Sequence, residues 1–181
     1  MASFVEFEHK FLVSRDFDVA AFARRVAALG PVAQSRADVR DTYWRVVGVE
    51  RHIFRHRLEG GKQQLTVKDY DSGNEARLEV NLDLAGGDQL AAVDRFLAVF
   101  GEARRFTVRK DAHVFDFADC QIVHYTAVSG ERRVDCVELE ATAAATQEEA
   151  RATLARFEAA LGFRASERCT INLFDLIVRP S

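Results

Sequence analysis

Hydrophobic and polar residues alternate along most of this chain. The clearest case is Val5-Glu6-Phe7-Glu8-His9-Lys10-Phe11-Leu12-Val13. Side chains alternate across a strand, so Glu6, Glu8 and Lys10 project together while Val5, Phe7 and Phe11 project the other way. The same period of two predicts strands over 38–47, 50–58, 62–69, 75–84, 103–115, 120–128 and 132–141. Gly60-Gly61 and Asp71-Ser72-Gly73 read as turns within this series.

Helical spacing interrupts the alternation. Val19, Phe22, Val26 and Leu29 form one stripe after a cap at Asp16 or Asp18, and Gly30-Pro31 ends it. Leu90, Val93, Leu97 and Phe100 form a second stripe after Gly86-Gly87-Asp88. Thr146 with Glu149 is a capping box, opening a helix that buries Ala150, Leu154, Phe157 and Leu161 and stops at Gly162. A weaker helical pattern covers 166–178. The sum is about eight strands and four helices in one α+β domain spanning 1–181.

The polar faces of the strands are mostly charged. Arg55 and Arg57 share a face, as do Gln64, Thr66 and Lys68. Glu75, Arg77, Glu79, Asn81 and Asp83 oppose Ala76, Leu78, Val80, Leu82 and Leu84, and Glu138 and Glu140 oppose Val137 and Leu139. A wet sheet face with weak cross-strand pairs explains any one strand. Five such strands point instead to a curved or closed sheet with apolar faces packed outward on helices and charged faces lining a cavity. Such a cavity must hold ions. Glu6, Glu8, Glu138 and Glu140 offer oxygen ligands for Mg²⁺ or Mn²⁺. Lys10, Arg55, Arg57, Lys68 and Arg77 suit phosphates.

Composition adds boundaries. With 181 residues, 48% hydrophobic and 29% charged, the chain is long and apolar enough for one sizeable core. A net charge of −3 does not favour nucleic acid or membrane as a partner. Only four of the 25 basic residues are lysine, which fits phosphate binding and equally fits a base-composition bias. Cys120, Cys136 and Cys169 form no CxxC pair, so neither a zinc site nor a disulfide framework is expected. No signal peptide or membrane-length apolar run is evident, giving a cytoplasmic expectation. His52 and His56 would lie about 13 Å apart on a strand, too far to share an ion. His9 reads as a packed or rim histidine, and Asp41 and Tyr43 as residues either of a cavity mouth or of a cross-strand pair beside Trp44.

Glu6-x-Glu8-x-Lys10 resembles the ExExK signature of the CYTH, or triphosphate tunnel metalloenzyme, superfamily. The resemblance continues in order through Asp41-Thr42-Tyr43, Arg55-His56-Arg57, Leu65-Thr66-Val67-Lys68, Arg77-Leu78-Glu79 and Glu138-Leu139-Glu140. It implies an eight-stranded antiparallel β-barrel, a tunnel, flanked by helices. It also implies Mg²⁺- or Mn²⁺-dependent chemistry on a small-molecule triphosphate. Glu6, Glu8, Glu138 and Glu140 would ligate metal, and Glu79 would ligate metal or orient Arg77. Lys10, Arg55, Arg57, Lys68 and Arg77 would grip the triphosphate, with Lys10, Glu6 and Glu8 as the catalytic group. Two positions depart from the pattern: Asn81 replaces an acid, and Ala112 replaces the arginine of a K-x-R motif matched by Lys110. Nor is an expected acid evident at 124–126. Polarity around Phe106 and Val108 favours Arg109 over Lys110 as the inward cation.

The expected activity is metal-dependent hydrolysis of tripolyphosphate or an organic triphosphate. The second reading is a class IV-type adenylyl cyclase, and the third a non-catalytic polyphosphate or nucleotide binder. A homodimer is left open.

Overall fold

The structure, a computed structural model, describes residues 5–70 and 76–178. The expected turn at Asp71-Ser72-Gly73 and the position of Glu75 lie outside the described residues. The elements run β1 (Val5–Leu12), α1 (Val19–Ala27), β2 (Ala33–Val46), β3 (His52–Glu59), β4 (Lys62–Asp69), β5 (Ala76–Leu84), α2 (Leu90–Ala98), β6 (Ala103–Asp116), β7 (Cys120–Ser129), β8 (Arg132–Ala141), α3 (Gln147–Leu161) and α4 (Leu173–Val178). The strands close into an antiparallel barrel in the order β1-β5-β4-β3-β2-β6-β7-β8. Closure gives every strand two neighbours, so no edge is left unpaired.

Outward apolar faces carry the helices. α1 and α3 cover Phe11, Phe115, Ile122, Val137 and Leu139 with Phe22, Val26, Leu154, Phe157 and Leu161. α2 covers Trp44, Val46, Phe54 and Leu65 with Val93 and Leu97. At α1 and α3 the caps behave as the sequence indicates, whereas α2 has Gln89 at its N-cap with no side-chain cap bond, and Asp88 accepts from Leu90 N at 3.0 Å. Asp18 accepts from Ala21 N at 2.8 Å, Thr146 and Glu149 form the capping box, and Gly162 closes α3 at φ 78°. Phe100 falls beyond the end of α2 and is 53% exposed, so the expected fourth contact of that stripe is not made.

Two further elements differ from their expected bounds. β2 starts five residues earlier than the alternation indicates, because Ala33–Val46 pairs along its whole length with the equally long β6. Residues 166–178 are not one helix. A short 3₁₀ turn, Ala165–Glu167, is followed by a bridge from Arg168 to Phe11, and only Leu173–Val178 is α-helical.

α4 is the exception among the helices: it packs on inward-facing positions. Leu173, Phe174 and Ile177 meet Tyr43, Ile53, Val108, Ala112, Tyr125, Ala127 and Cys136. Phe174 lies 5.7 Å from the Tyr43 ring and 5.4 Å from the Phe106 ring. Tyr70 fastens the helix by donating its hydroxyl to Asp175 at 2.6 Å. One end of the barrel is therefore filled by apolar core. Among the described residues no helix is long and apolar enough to cross a membrane.

Candidate active site

The unfilled part of the barrel is a cavity of about 500 Å³. Its walls include Glu6, Glu8 and Lys10 of β1, Arg55 and Arg57 of β3, Lys68 of β4, Arg77 and Glu79 of β5, Lys110 of β6, and Glu138 and Glu140 of β8. Alternation on each strand supplies the side chains, and barrel closure aims them at one another. Cross-strand register then sets the neighbours: Glu6 opposite Arg77, Glu8 opposite Glu140, Lys10 opposite Glu138, Lys68 opposite Glu79.

Acids and cations interlock. Lys10 Nζ lies 3.1 Å from Glu8 and 3.2 Å from Glu138. Lys68 Nζ lies 2.9 Å from Glu6 and also contacts Glu79. Arg77 reaches Glu8 at 3.3 Å and donates to Asn172, just before α4. Arg55 donates to Thr66 at 3.0 Å and lies 3.4 Å from Glu79. Tyr125 donates to Glu138 at 2.6 Å.

A second knot sits deeper in the wall. Asp41 is wholly buried and takes Arg57 in a two-pronged pair at 2.9 and 3.0 Å. Lys110 Nζ joins it at 3.0 Å and lies 4.9 Å from the Tyr125 ring centre. Burial raises the cost of ionising Asp41, but Lys110 and Arg57 more than offset it and hold the carboxyl well below its usual range.

Lys110, not Arg109, faces the lumen. Arg109 is exposed on the outer surface. The polarity argument failed here for a physical reason. Phe106 and Val108 do point inward, but into the apolar end under α4, so being hydrophobic did not make them outward. Ala112 also lines the cavity, so no cation stands in its place. Asn81 faces the cavity too, accepting from Thr66 at 2.7 Å and donating to Glu79 at 3.0 Å.

Three residues of the site escaped sequence reasoning. Lys110 carried a motif signal that local polarity outweighed. Tyr125 and Asn172 carried none, because each reaches the site only through strand closure or the return of the C-terminal segment. Asn172 is buried, and its amide nitrogen has no hydrogen-bond partner among the described residues, which leaves a donor beside Arg77. The histidines lie elsewhere. His9 pairs with Glu158 at 2.7 Å on the outer face, where Arg168 also holds Glu158. His56 bonds Gln63 at 2.9 Å.

The electrostatics of the acids differ from group to group. Burial works against ionising Glu8, yet Lys10 and Arg77 prevail and its pKa falls far below normal. Glu79 falls to about 2, with burial opposed by Lys68 and Arg55. Glu6 shifts upward through burial, with Lys68 opposing and Glu8 and Glu79 adding to the rise. Glu140 is pushed up to about 7 by burial, then by Glu6 and Glu8. Around Glu6 and Glu140 the sector is thus short of positive charge, while cations balance Glu8 and Glu79. Carboxylate oxygens from Glu6, Glu8, Glu79, Glu138 and Glu140 are the donor chemistry a hard divalent cation takes, and such an ion would relieve the repulsion. Among the described residues no three His, Cys, Asp or Glu side chains are already gathered as a metal-binding group. The acids rest against cations instead.

No family model and no curated protein matches the sequence. Solved structures do match. A protein of Pyrococcus horikoshii aligns with a TM-score of 0.78 at 18% identity, over 95% of this chain and 99% of that one. A Hippeastrum protein, described as an adenylyl cyclase candidate with a dominant triphosphatase activity, aligns at 0.58 and 13%, over 88% of each chain. The RNA triphosphatase domain of a mimivirus mRNA capping enzyme aligns at 0.59 and 10%, over 88% of this chain and 90% of that one.

The chain has the closed eight-stranded tunnel fold of these structures, as the CYTH resemblance implies. At these identities the likeness establishes the fold alone. The lining of this tunnel has three parts: the charged belt in the middle, the α4 filling at one end, and the uncharged stretch of wall around Ala112.

Proposed function

We propose that this protein hydrolyses a triphosphate inside the barrel with the help of Mg²⁺ or Mn²⁺. The observation that carries the reading is the interlocked set of acids and cations around one enclosed cavity. Buried ion pairs are poor sources of net stability, so their accumulation here favours a role in binding. The cations present fixed donors for phosphate oxygens from four strands successive around the barrel: Arg55 and Arg57 on β3, Lys68 on β4, Arg77 on β5 and Lys10 on β1. The carboxylates are the complementary partners of a divalent cation that accompanies the phosphates.

Binding then exchanges partners. Lys68, Arg77 and Lys10 would turn from carboxylate to phosphate, and Glu6, Glu8 and Glu138, freed of ammonium or guanidinium, would hold the divalent ion. A bound divalent ion supplies charge neutralisation at the phosphoryl oxygens and a more acidic water. The chain's own residues hold the phosphate chain in line and keep it fixed as charge develops. Lys10, in contact with both Glu8 and Glu138, would stabilise charge on the terminal phosphoryl group.

The test is phosphate release from tripolyphosphate, thiamine triphosphate and ATP with Mg²⁺ or Mn²⁺, followed by product chromatography. Phosphate release that stops on chelation supports the reading. Cyclic AMP from ATP, with little phosphate release, replaces it by the cyclase reading. Calorimetric binding without turnover across the metal panel replaces it by the binder reading, for which Asn81 and Ala112 in the lining are the motive.

A further inference from the structure

The two ends of the lumen are not equivalent, and one stretch of wall at the open end is apolar, rimmed by Asp116 and Gln121. α4 fills the end where β2 finishes and β6 begins, through Tyr43, Phe106 and Phe174. In an antiparallel barrel the opposite end gathers the start of β2, the end of β6 and the start of β7. There the lining includes Ser35, Ala37, Val114 and Val123, with Ala112 just inside and Asp116 and Gln121, bonded to each other at 2.8 Å, at the rim. Register places Ser35, Val114 and Val123 side by side on adjacent strands, and likewise Ala37 and Ala112. Ser35, Ala37, Ala112, Val114 and Val123 carry no charge, and Ala37, Val114 and Val123, at the margin of the inward apolar cluster, remain only half-buried beside open space. Helices cover the outward apolar faces elsewhere on the barrel, but this inward surface faces the cavity.

We propose that this wall is a subsite for the organic part of the substrate, so that the enzyme prefers a triphosphate ester bearing a flat apolar or heteroaromatic group over inorganic tripolyphosphate. The inference rests on the triphosphatase reading above. A triphosphate held by the central belt has one way out, because α4 closes the other. Its ester end therefore emerges along the mouth wall. Inorganic tripolyphosphate carries charge at both ends and gains nothing from alanine and valine surface. A ring laid on the same surface removes apolar area from water on both sides. Small side chains also leave the width a ring needs.

The experiment compares kcat/KM for ATP and thiamine triphosphate with that for methyl triphosphate and tripolyphosphate, under the same divalent ion. A ring-bearing ester should exceed both ringless compounds by about tenfold or more, the scale of a modest apolar contact. In the double variant Val114→Thr/Val123→Thr, which keeps side-chain volume and adds hydroxyls, the ratio of ring-bearing to inorganic substrate should fall severalfold. Melting curves show whether that variant is folded. If it is not, Ala37→Ser makes the same comparison with one added hydroxyl. Equal or better use of tripolyphosphate, or a ratio the variants do not move, overturns the inference and leaves the triphosphatase reading standing. Failure to bind or cleave any of the four compounds overturns both.

Discussion

The two ends of the barrel take the same kind of position, inward-facing residues of antiparallel strands, and use it in opposite ways. Toward the mouth, inward side chains are acids, cations and small residues around a cavity. Toward α4, inward side chains are Tyr43, Ile53, Val108, Ala127 and Cys136, sealed by Leu173, Phe174 and Ile177. The comparison shows how a small barrel supports a charged interior. Charges cluster where solvent or ligand reaches them, and a six-residue helix completes an apolar core at the other end, which holds the strands in place. Arg77 links the two regions, bonded to Glu8 on one side and to Asn172, at the root of α4, on the other.

The largest effect should come from the charged half. Glu8→Gln is expected to lower metal-dependent turnover by about a hundredfold or more, the scale of losing a key electrostatic group. Far-UV circular dichroism should be unchanged; near-normal phosphate release from the variant would refute the role given to Glu8.

At the apolar end, Phe174→Ala opens a cavity among Tyr43, Phe106 and Val108 and should cost about 3 to 5 kcal/mol in denaturant unfolding. A loss under about 1 kcal/mol would mean that α4 is not part of the core.

The knot between the two regions can be probed with Asp41→Asn. It leaves Arg57 and Lys110 without their shared anion and should destabilise by about 3 kcal/mol. Added tripolyphosphate should restore part of the loss, because it supplies negative charge to the same cations; a melting shift no larger than in the parent protein would argue that Asp41 is only structural.

The smallest effect concerns Glu140 in chelator-treated protein. Its carboxyl titrates near 7 in the fold against an ordinary value of 4.5, so folding favours its protonated form. That contribution is complete below about pH 4.5 and disappears as pH rises through about 7. Relative to Glu140→Gln, the parent's melting temperature should therefore fall between about pH 5 and 8. The opposite slope, or no difference between the two proteins, would remove the charge-repulsion account of the acidic sector.

Much of this arrangement is visible in local pattern. Glu6, Glu8 and Lys10 alternate with Val5 and Phe7, and that alone puts them on one face. The same holds for Arg55 with Arg57 and for Glu138 with Glu140. Helix signals were local too: the Asp18 cap, the Thr146–Glu149 box and Gly162 all act within one turn of their own sequence. β6 shows where local pattern misleads. Arg109 reads as inward because its neighbours Phe106 and Val108 are apolar, an argument that assumes an apolar face always points away from the lumen. α4 reverses the assumption at that end.

Periodicity thus determined which residues share a face, where helices start and stop, and that charge recurs on one side of several strands, because side-chain direction follows from backbone geometry alone. Tertiary structure decided which way each face points, that Lys110 meets Asp41 and Arg57, that Tyr125 and Asn172 join the site, and which end is closed. Those outcomes depend on strand register and on a C-terminal segment folding back across more than a hundred residues, and no local free-energy preference encodes them.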